Sequence, residues 1–338
     1  MASILQERGL TEENAMFERI LIPLDGSARA ELILGQVARI LRRKDSEILL
    51  VRVVDLPEAS RLDTARTTAA EYVRGRERAQ AHEYIHTLAG RLSDQGVRVR
   101  GFIAEGAAAP AVLEQAVREK ATLIAMTTHG RTGIPRWLVG SVAEKIVRTS
   151  PIPVLLVRSF RPTPLGDLQP ATAEELPFRK ILVPTDGSIA AETVLDPAAQ
   201  FAQLFDAKVL VLHAEAPVVI PGYGEMGIPP ILPPTPSDKD PITEPAAERL
   251  RGFGLAVCRR TVAGDSAGVI LDQSHSDGVD LVAMATHGRS GFSRWILGSV
   301  AERVLRHAGV PLLLVHAEAE ATPVPQIQER TEEAPQTR

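Results

Sequence analysis

A single cysteine, Cys258, in a chain of 338 residues leaves no partner for an intramolecular disulfide and no thiolate cage for a metal. Aromatic residues make up only 4% of the sequence, so a core has to be assembled from Val, Ile, Leu and Ala. No run of about 18 apolar residues occurs, which excludes a membrane-spanning helix. Basic charge is not in excess: 38 Lys and Arg stand against 42 Asp and Glu, a formal net charge of −4. That balance argues against a general nucleic-acid binder. Residues 1–16 carry Glu7, Arg8, Glu12 and Glu13 where a secretory signal needs an apolar stretch, so a cytoplasmic chain is expected.

Catalytic signatures are absent as well. There is no Gly-x-x-x-x-Gly-Lys-Ser/Thr loop, no Gly-x-Ser-x-Gly elbow and no His-Glu-x-x-His helix. The Ser-Gly-Gly-x-Asp-Ser loop of pyrophosphate-cleaving ATPases is missing too. Nothing in the sequence assembles a nucleophile, a base and an oxyanion donor. The expectation is binding without turnover.

What the chain does contain is a duplication. Thr128-His129-Gly130-Arg131-Thr132-Gly133, closed by Gly140-Ser141-Val142-Ala143-Glu144, returns as Thr286-His287-Gly288-Arg289-Ser290-Gly291 and Gly298-Ser299-Val300-Ala301-Glu302. Of the 31 positions from Thr127 to Val157, 17 match their counterparts between Ala285 and Val315. Upstream, Ile20-Leu21-Ile22-Pro23-Leu24-Asp25-Gly26-Ser27 is echoed by Ile181-Leu182-Val183-Pro184-Thr185-Asp186-Gly187-Ser188. Two separated segments repeating in the same order mark a duplicated domain, with a period far longer than a solenoid repeat. The division read here is a polar leader 1–16, a first domain 17–158, a proline-punctuated linker 159–177, a second domain 178–316 and a disordered tail 317–338. With 44% hydrophobic residues, each half can bury its own core.

Within each repeat, short apolar runs alternate with amphipathic stretches. In the first, strands are expected at 20–24, 48–54, 97–104, 123–126 and 154–157. Helices are expected after Ser27, over 63–92, over 108–119 and over 141–148. Alternation of this kind predicts an α/β fold: two tandem, open, five-stranded parallel sheets covered by helices on both faces. The second repeat departs from the first at 216–245, where Pro229-Pro230 and Pro233-Pro234 forbid helix and the long second helix shrinks to about 246–251. The insertion follows strand two, on the side where open α/β sheets bind ligands. It reads as a lid over the second site, or as a tolerated surface insertion.

Asp25 and Asp186 each stand at the carboxyl end of the first strand, in a Pro-x-Asp-Gly-Ser turn. A carboxylate there can accept hydrogen bonds from a ligand, or simply close an Asx turn. Gly130, Gly140 and Ser141, with Gly288, Gly298 and Ser299, frame a loop and the first turn of a helix. Unpaired N–H groups, the positive end of the dipole and a serine hydroxyl make an anion cradle there. The alternative is that the serine caps its helix and the glycines turn the loop. His129 and His287 have no ligand-spaced companions for a metal. Arg131 and Arg289 can neutralise phosphate or be solvated, and Trp137 and Trp295 read as buried rather than stacking residues.

These residues resemble the universal stress protein family, over nearly all of 17–158 and 178–316. Its pattern is Gly-x-x-Gly, nine residues, then Gly-Ser/Thr, with Pro-x-Asp far upstream. Gly130 with Gly140-Ser141, and Gly288 with Gly298-Ser299, keep that spacing. The resemblance implies a Rossmann-like, adenine-nucleotide alpha-hydrolase-like unit that binds ATP in many members, Mg²⁺ accompanying it. It implies nucleotide contacts at Pro23, Asp25, Val51 or Val53, Met126, Gly130, Gly140, Ser141 and Val142. In the second repeat these become Pro184, Asp186, Val211, Met284, Gly288, Gly298, Ser299 and Val300. It also implies pairing of the two units through their last strands, and leaves association of two chains into a homodimer open.

Thr127 and Ala285 stand where the family pattern has its first glycine. If that position needs φ > 0, threonine is strongly disfavoured; if it only makes room for a nucleotide, the branched side chain intrudes. Either reason ranks the second repeat as the more competent site, provided its proline-rich insertion does not occlude the pocket. The leading expectation is a stress-response protein with a regulatory, non-catalytic adenine nucleotide. A nucleotide-independent scaffold and a slow ATPase are the alternatives.

Overall fold

The computed structural model describes residues 15–54, 64–128, 139–158, 160–162, 168–170, 178–216, 240–276, 278–287 and 297–316. The first half runs β1 (Arg19–Pro23), α1 (Ala28–Leu41), β2 (Glu47–Val54), α2 (Thr64–Asp94), β3 (Arg98–Glu105), α3 (Ala108–Arg118), β4 (Leu123–Thr127), α4 (Ser141–Thr149) and β5 (Val154–Val157). A short antiparallel hairpin of β6 (Phe160–Pro162) and β7 (Leu168–Pro170) lies in the segment read as the linker. The second half runs β8 (Lys180–Pro184), α5 (Ile189–Glu192), α6 (Leu195–Phe205), β9 (Lys208–Glu215), α7 (Glu244–Gly252), β10 (Val257–Ala263), α8 (Ser266–Ser276), β11 (Leu281–Ala285), α9 (Ser299–His307) and β12 (Leu312–Val315). Where the first half has the 31-residue α2, the second has the nine-residue α7, with Pro245 in its first turn, where proline is tolerated. The expected lid over 216–245 falls largely on 217–239, outside the described residues.

Each half forms a five-stranded parallel sheet in the order 3-2-1-4-5, and the two sheets merge into one of ten strands. Every neighbour pair is parallel except β12 with β5, where Leu313 faces Leu155 and Leu314 faces Val154. The pairing of the halves through their last strands is therefore present within the chain. It also removes the two apolar edges that unpaired fifth strands would expose. The edges that remain are β3, bearing Arg98 and Arg100, and β10, bearing Arg259 and Arg260. Charged side chains of this kind discourage further pairing.

Strand residues alternate strictly between two apolar layers, one on each face. On one face Ile20, Ile22, Ile48, Leu50, Val209 and Val211 pack under α1, α2, α6 and α7. On the other Leu21, Leu49, Val51, Leu210 and Leu212 pack under α3, α4, α8 and α9. Both layers run through the two halves without interruption. Four phenylalanines join the two halves on the first of these faces. Phe17, just before β1, Phe178, just before β8, and Phe201 and Phe205 on α6 stack with ring centroids 4.9–5.8 Å apart. Arg39 of α1 lies over the Phe178 ring at 4.8 Å, and the Met16 N–H, at a position read as leader, donates to Gln200 Oε1 at 2.9 Å.

Candidate functional site

In each half the strand order reverses between the first and fourth strands, and a crevice opens beyond their carboxyl ends. One cavity, of about 310 Å³, is lined by Pro23, Asp25, Val51, Val53, Met126, Gly140, Ser141 and Val142 together with Arg52, Ala108 and Thr127. The other, of about 240 Å³, is lined by Pro184, Asp186, Met284, Gly298, Ser299 and Val300 together with Leu212, His213, Ser266 and Thr286. Residues far apart in sequence thus meet twice, in matching sets. Gly130 and Gly288 lie outside the described residues, as do His129, Arg131, Trp137, Arg289 and Trp295.

The Asp-Gly-Ser turn is built identically in both halves. Asp25 Oδ1 accepts from Ser27 N–H at 2.9 Å and Ser27 Oγ–H at 2.6 Å, and Asp186 Oδ1 from Ser188 N–H at 3.0 Å and its hydroxyl at 2.6 Å. The intervening Gly26 and Gly187 have φ of 78° and 75°, the left-handed region that glycine enters without a steric penalty. Ser27 and Ser188 then cap α1 and α5, accepting from Ala30 and Ala191 N–H at 3.2 Å. One carboxylate oxygen is thus spent on the turn, while the residue as a whole still lines the cavity.

At the opposite wall, the alternative that Ser141 and Ser299 cap their helices does not hold. Gly140 and Gly298 occupy the N-cap positions, without a side-chain cap, and the serines are the first helical residues. Their hydroxyls make no hydrogen bond among the described residues. The ladder starts with Glu144 N–H to Gly140 O and Glu302 N–H to Gly298 O, so the N–H groups of residues 141–143 and 299–301 precede it. All six residues line a cavity. The two glycines are not there for backbone freedom: φ is −60° at both. Gly298 allows close approach, because its N–H donates to Thr286 O at 2.9 Å and a Cβ on it would stand 3.2 Å from that same oxygen.

Two expectations need correction. Val211 belongs to the opposite layer and is fully buried there. Pro184 pairs in register with Leu212, as Pro23 does with Val51, so Leu212 and Ala214 form the wall that Val51 and Val53 form in the first half. A slip of one residue moves a strand side chain to the other face. Thr127 and Ala285 are ordinary strand residues paired with Val157 and Val315, and neither has positive φ. Thr127 therefore carries no backbone penalty, so the reason based on positive φ falls, while its branched side chain lines the first cavity where the second has the methyl group of Ala285.

The second site has a polar surround that spacing alone did not reveal. His213 Nδ1 meets Asp240 Oδ2 at 2.5 Å, and the same oxygen accepts from Thr261 Oγ at 2.7 Å. Burial alone would push the Asp240 carboxyl up. Hydrogen bonds from Thr261, the Ile242 N–H and His213, with the charge of His213, outweigh it and hold the group below the usual carboxylate range. Thr286 Oγ lies 3.0 Å from His287 Nδ1 and 3.2 Å from His316 Nδ1, and His287 Nε2 is buried without a hydrogen-bond partner. Aligning the repeats would have exposed the pairs Arg52 with His213 and Ala108 with Ser266. Among the described residues no cluster of three or more His, Cys, Asp or Glu suits a metal ion.

A family model described as the universal stress protein family matches residues 16–158 and again 177–316. The chain belongs to that family. A universal stress protein of Mycolicibacterium smegmatis is 26% identical over 306 residues, covering 88% of this chain and 96% of its own. Universal stress protein MJ0531 of Methanocaldococcus jannaschii is 29% identical over 143 residues, 42% of this chain and 83% of its own. The crystal structure of a universal stress protein from Archaeoglobus fulgidus DSM 4304 aligns over 91% of this chain and 98% of its own, with a TM-score of 0.64 at 18% identity. That last likeness concerns the fold. No helix among the described residues is long and apolar enough to cross a membrane.

Proposed function

We propose that residues 17–158 and 178–316 are two binding modules, each taking an adenine nucleotide, ATP in the first instance, as a regulatory and non-catalytic ligand. The observation that carries this reading is the pair of uncommitted serines. Ser141 and Ser299 each set a hydroxyl and the first N–H groups of a helix against a cavity, where the helix dipole favours an anion. Asp25 and Asp186 lie across the crevice, placed to accept from the ribose hydroxyls or the base amine. Val51, Val53 and Met126, with Leu212, Ala214 and Met284, supply apolar walls for a planar base. Mg²⁺ would arrive with the phosphates rather than be held by a preformed protein cage. The change that nucleotide makes to the shared surface is the signal passed to a partner.

The test is nucleotide content and affinity together. Freshly purified protein is weighed under native conditions and its released nucleotide assayed, and emptied protein is titrated with ATP by calorimetry. Binding of two ATP per chain without phosphate release above background supports the proposal. A chain that carries no nucleotide and gives no heat with ATP returns the family scaffold without a ligand as the reading. Phosphate release lost in Asp186→Ala would instead point to a slow ATPase.

A further inference from the structure

The two cavities are matched in frame but not in chemistry. Leu24 faces Thr185 across the repeat, Arg52 faces His213, Thr127 faces Ala285 and Ala108 faces Ser266. Most of the polar members of these pairs are already engaged. Thr185 Oγ accepts from Gly187 N–H at 3.1 Å, His213 is held by Asp240, and Arg52 donates to Leu24 O at 3.4 Å. Ser266 is different. Its hydroxyl makes no hydrogen bond among the described residues, and the capping duty at the start of α8 falls to its neighbour, Asp265 Oδ2 accepting from Gly268 N–H at 2.9 Å. A serine at the first position of a helix would ordinarily be explained as a cap; here that explanation is taken by another residue.

The position of Ser266 says what it meets. The anion cradle at Ser299 opens α9, which follows β11. Ser266 opens α8, which packs over β9 on the same face, two strands away from β11 in the sheet. Ser266 borders the cavity between that β9 wall and α9, whose Arg303 pairs with Asp265. In the nucleotide reading, phosphates held at Ser299 leave the base to lie toward β9 past Ser266, where the first half has only the methyl group of Ala108.

Building on the nucleotide reading above, we propose that Ser266 is a specificity-determining residue that gives the purine edge a hydrogen bond in the second site which the first site lacks, so that the second site is the tighter of the two. The chain then has a sensitive site and a reserve site, filled in sequence as ATP rises. One neutral hydrogen bond corresponds to about a five- to tenfold difference in affinity.

The test titrates the full-length chain, emptied of nucleotide, with ATP and separately with inorganic tripolyphosphate, which has no base. Wild type is expected to show two ATP classes. Ser266→Ala should weaken the tighter class about five- to tenfold, merging the two, with no change toward tripolyphosphate and no change in the melting of the empty chain. Ala108→Ser should tighten the weaker class. A single class of two ATP, untouched by Ser266→Ala, overturns this inference and leaves the nucleotide reading standing. Equal weakening toward ATP and tripolyphosphate overturns it too, because the effect would then not involve the base. Absence of any ATP binding removes the nucleotide reading and this inference with it.

Discussion

Replacing Gly298 with valine asks whether the missing side chain serves the ligand or only the turn. The residue has φ −60° and ψ 146°, open to any L-residue, so the substitution carries no conformational penalty of the kind paid in the left-handed region. The cost has to come from contact. A Cβ would meet Thr286 O at 3.2 Å and His287 Cα at 3.7 Å. Carbon approaches carbonyl oxygen comfortably at about 3.3–3.6 Å, so alanine asks for a shift of a few tenths of an ångström. Valine adds two methyl groups to the same crowded junction, and overpacking of this kind costs about 1–3 kcal/mol. The atoms that must move are those of the cradle, because the Gly298 N–H is bonded to that same Thr286 O at 2.9 Å. Calorimetric titration with ATP should therefore give about one ligand per Gly298→Val chain instead of two, with Gly298→Ala keeping two at roughly tenfold lower affinity for one of them. The intact first site is an internal control for folding. At ATP 100-fold above its dissociation constant, a competent site stabilises its half by about 2.7 kcal/mol, so a melting curve reads the same loss. Two ATP bound at wild-type affinity by Gly298→Val would refute the argument from close approach.

Other perturbations test neighbouring parts of the account. Asp186→Ala removes both hydrogen bonds that Oδ1 accepts from Ser188, and should cost about 1–2 kcal/mol in urea unfolding besides weakening ATP at the second site. Asp240 has a carboxyl held lower in the folded than in the unfolded chain, so the stability it contributes is complete above about pH 3.9 and is lost as pH falls through its depressed folded value. Asp240→Asn should accordingly flatten the acid limb of a melting-temperature against pH profile; an unchanged limb would count against the pairing with His213 and Thr261. Leu313→Asp sets an unpaired charge opposite Leu155 in a fully buried seam, and the expected loss is several kcal/mol, seen as an early melting transition and a larger radius of gyration by scattering. Arg158→Leu removes donors to Leu305 O and Arg306 O at the end of α9, so amide exchange there should accelerate, at a cost of about 2 kcal/mol.

The architecture was readable in the sequence because it rests on patterns longer than a residue. The repeated Asp-Gly-Ser and Gly-Ser blocks set the period, and continuous apolar strands between amphipathic helices could only be buried on both faces. The site was readable where a motif tied residue type to local geometry, as at Asp25, Ser27 and Gly140. It failed where face had to be known rather than position. In Lys208–Glu215 every residue from Val209 to Leu212 is apolar, so nothing local tells Val211 from Leu212; the register with Pro184 decides. Thr127 looked strained only while its backbone was unknown. His213 and Asp240 escaped because 27 residues of chain separate them and no spacing rule joins them. The phenylalanine cluster escaped for a similar reason. Phe17 and Phe178 stand at equivalent points of the two repeats, and only the antiparallel meeting of β5 and β12 brings them onto the same α6 helix.

That antiparallel seam also frees the two halves from each other's sequence. When two identical chains meet about a two-fold axis, every residue near the axis is used twice, and a substitution that helps on one side has to be tolerated on the other. A covalent tandem lifts that constraint. Arg158 reaches across to the last turn of α9, whereas its counterpart after β12 is His316, which sits with Thr286 and His287 instead. Because the strands of the halves point in opposite directions, the two crevices open on opposite edges of the slab, so each can drift in composition without crowding the other. Carrying both units in one chain thus does more than tether them: it makes a molecule with two distinguishable ends.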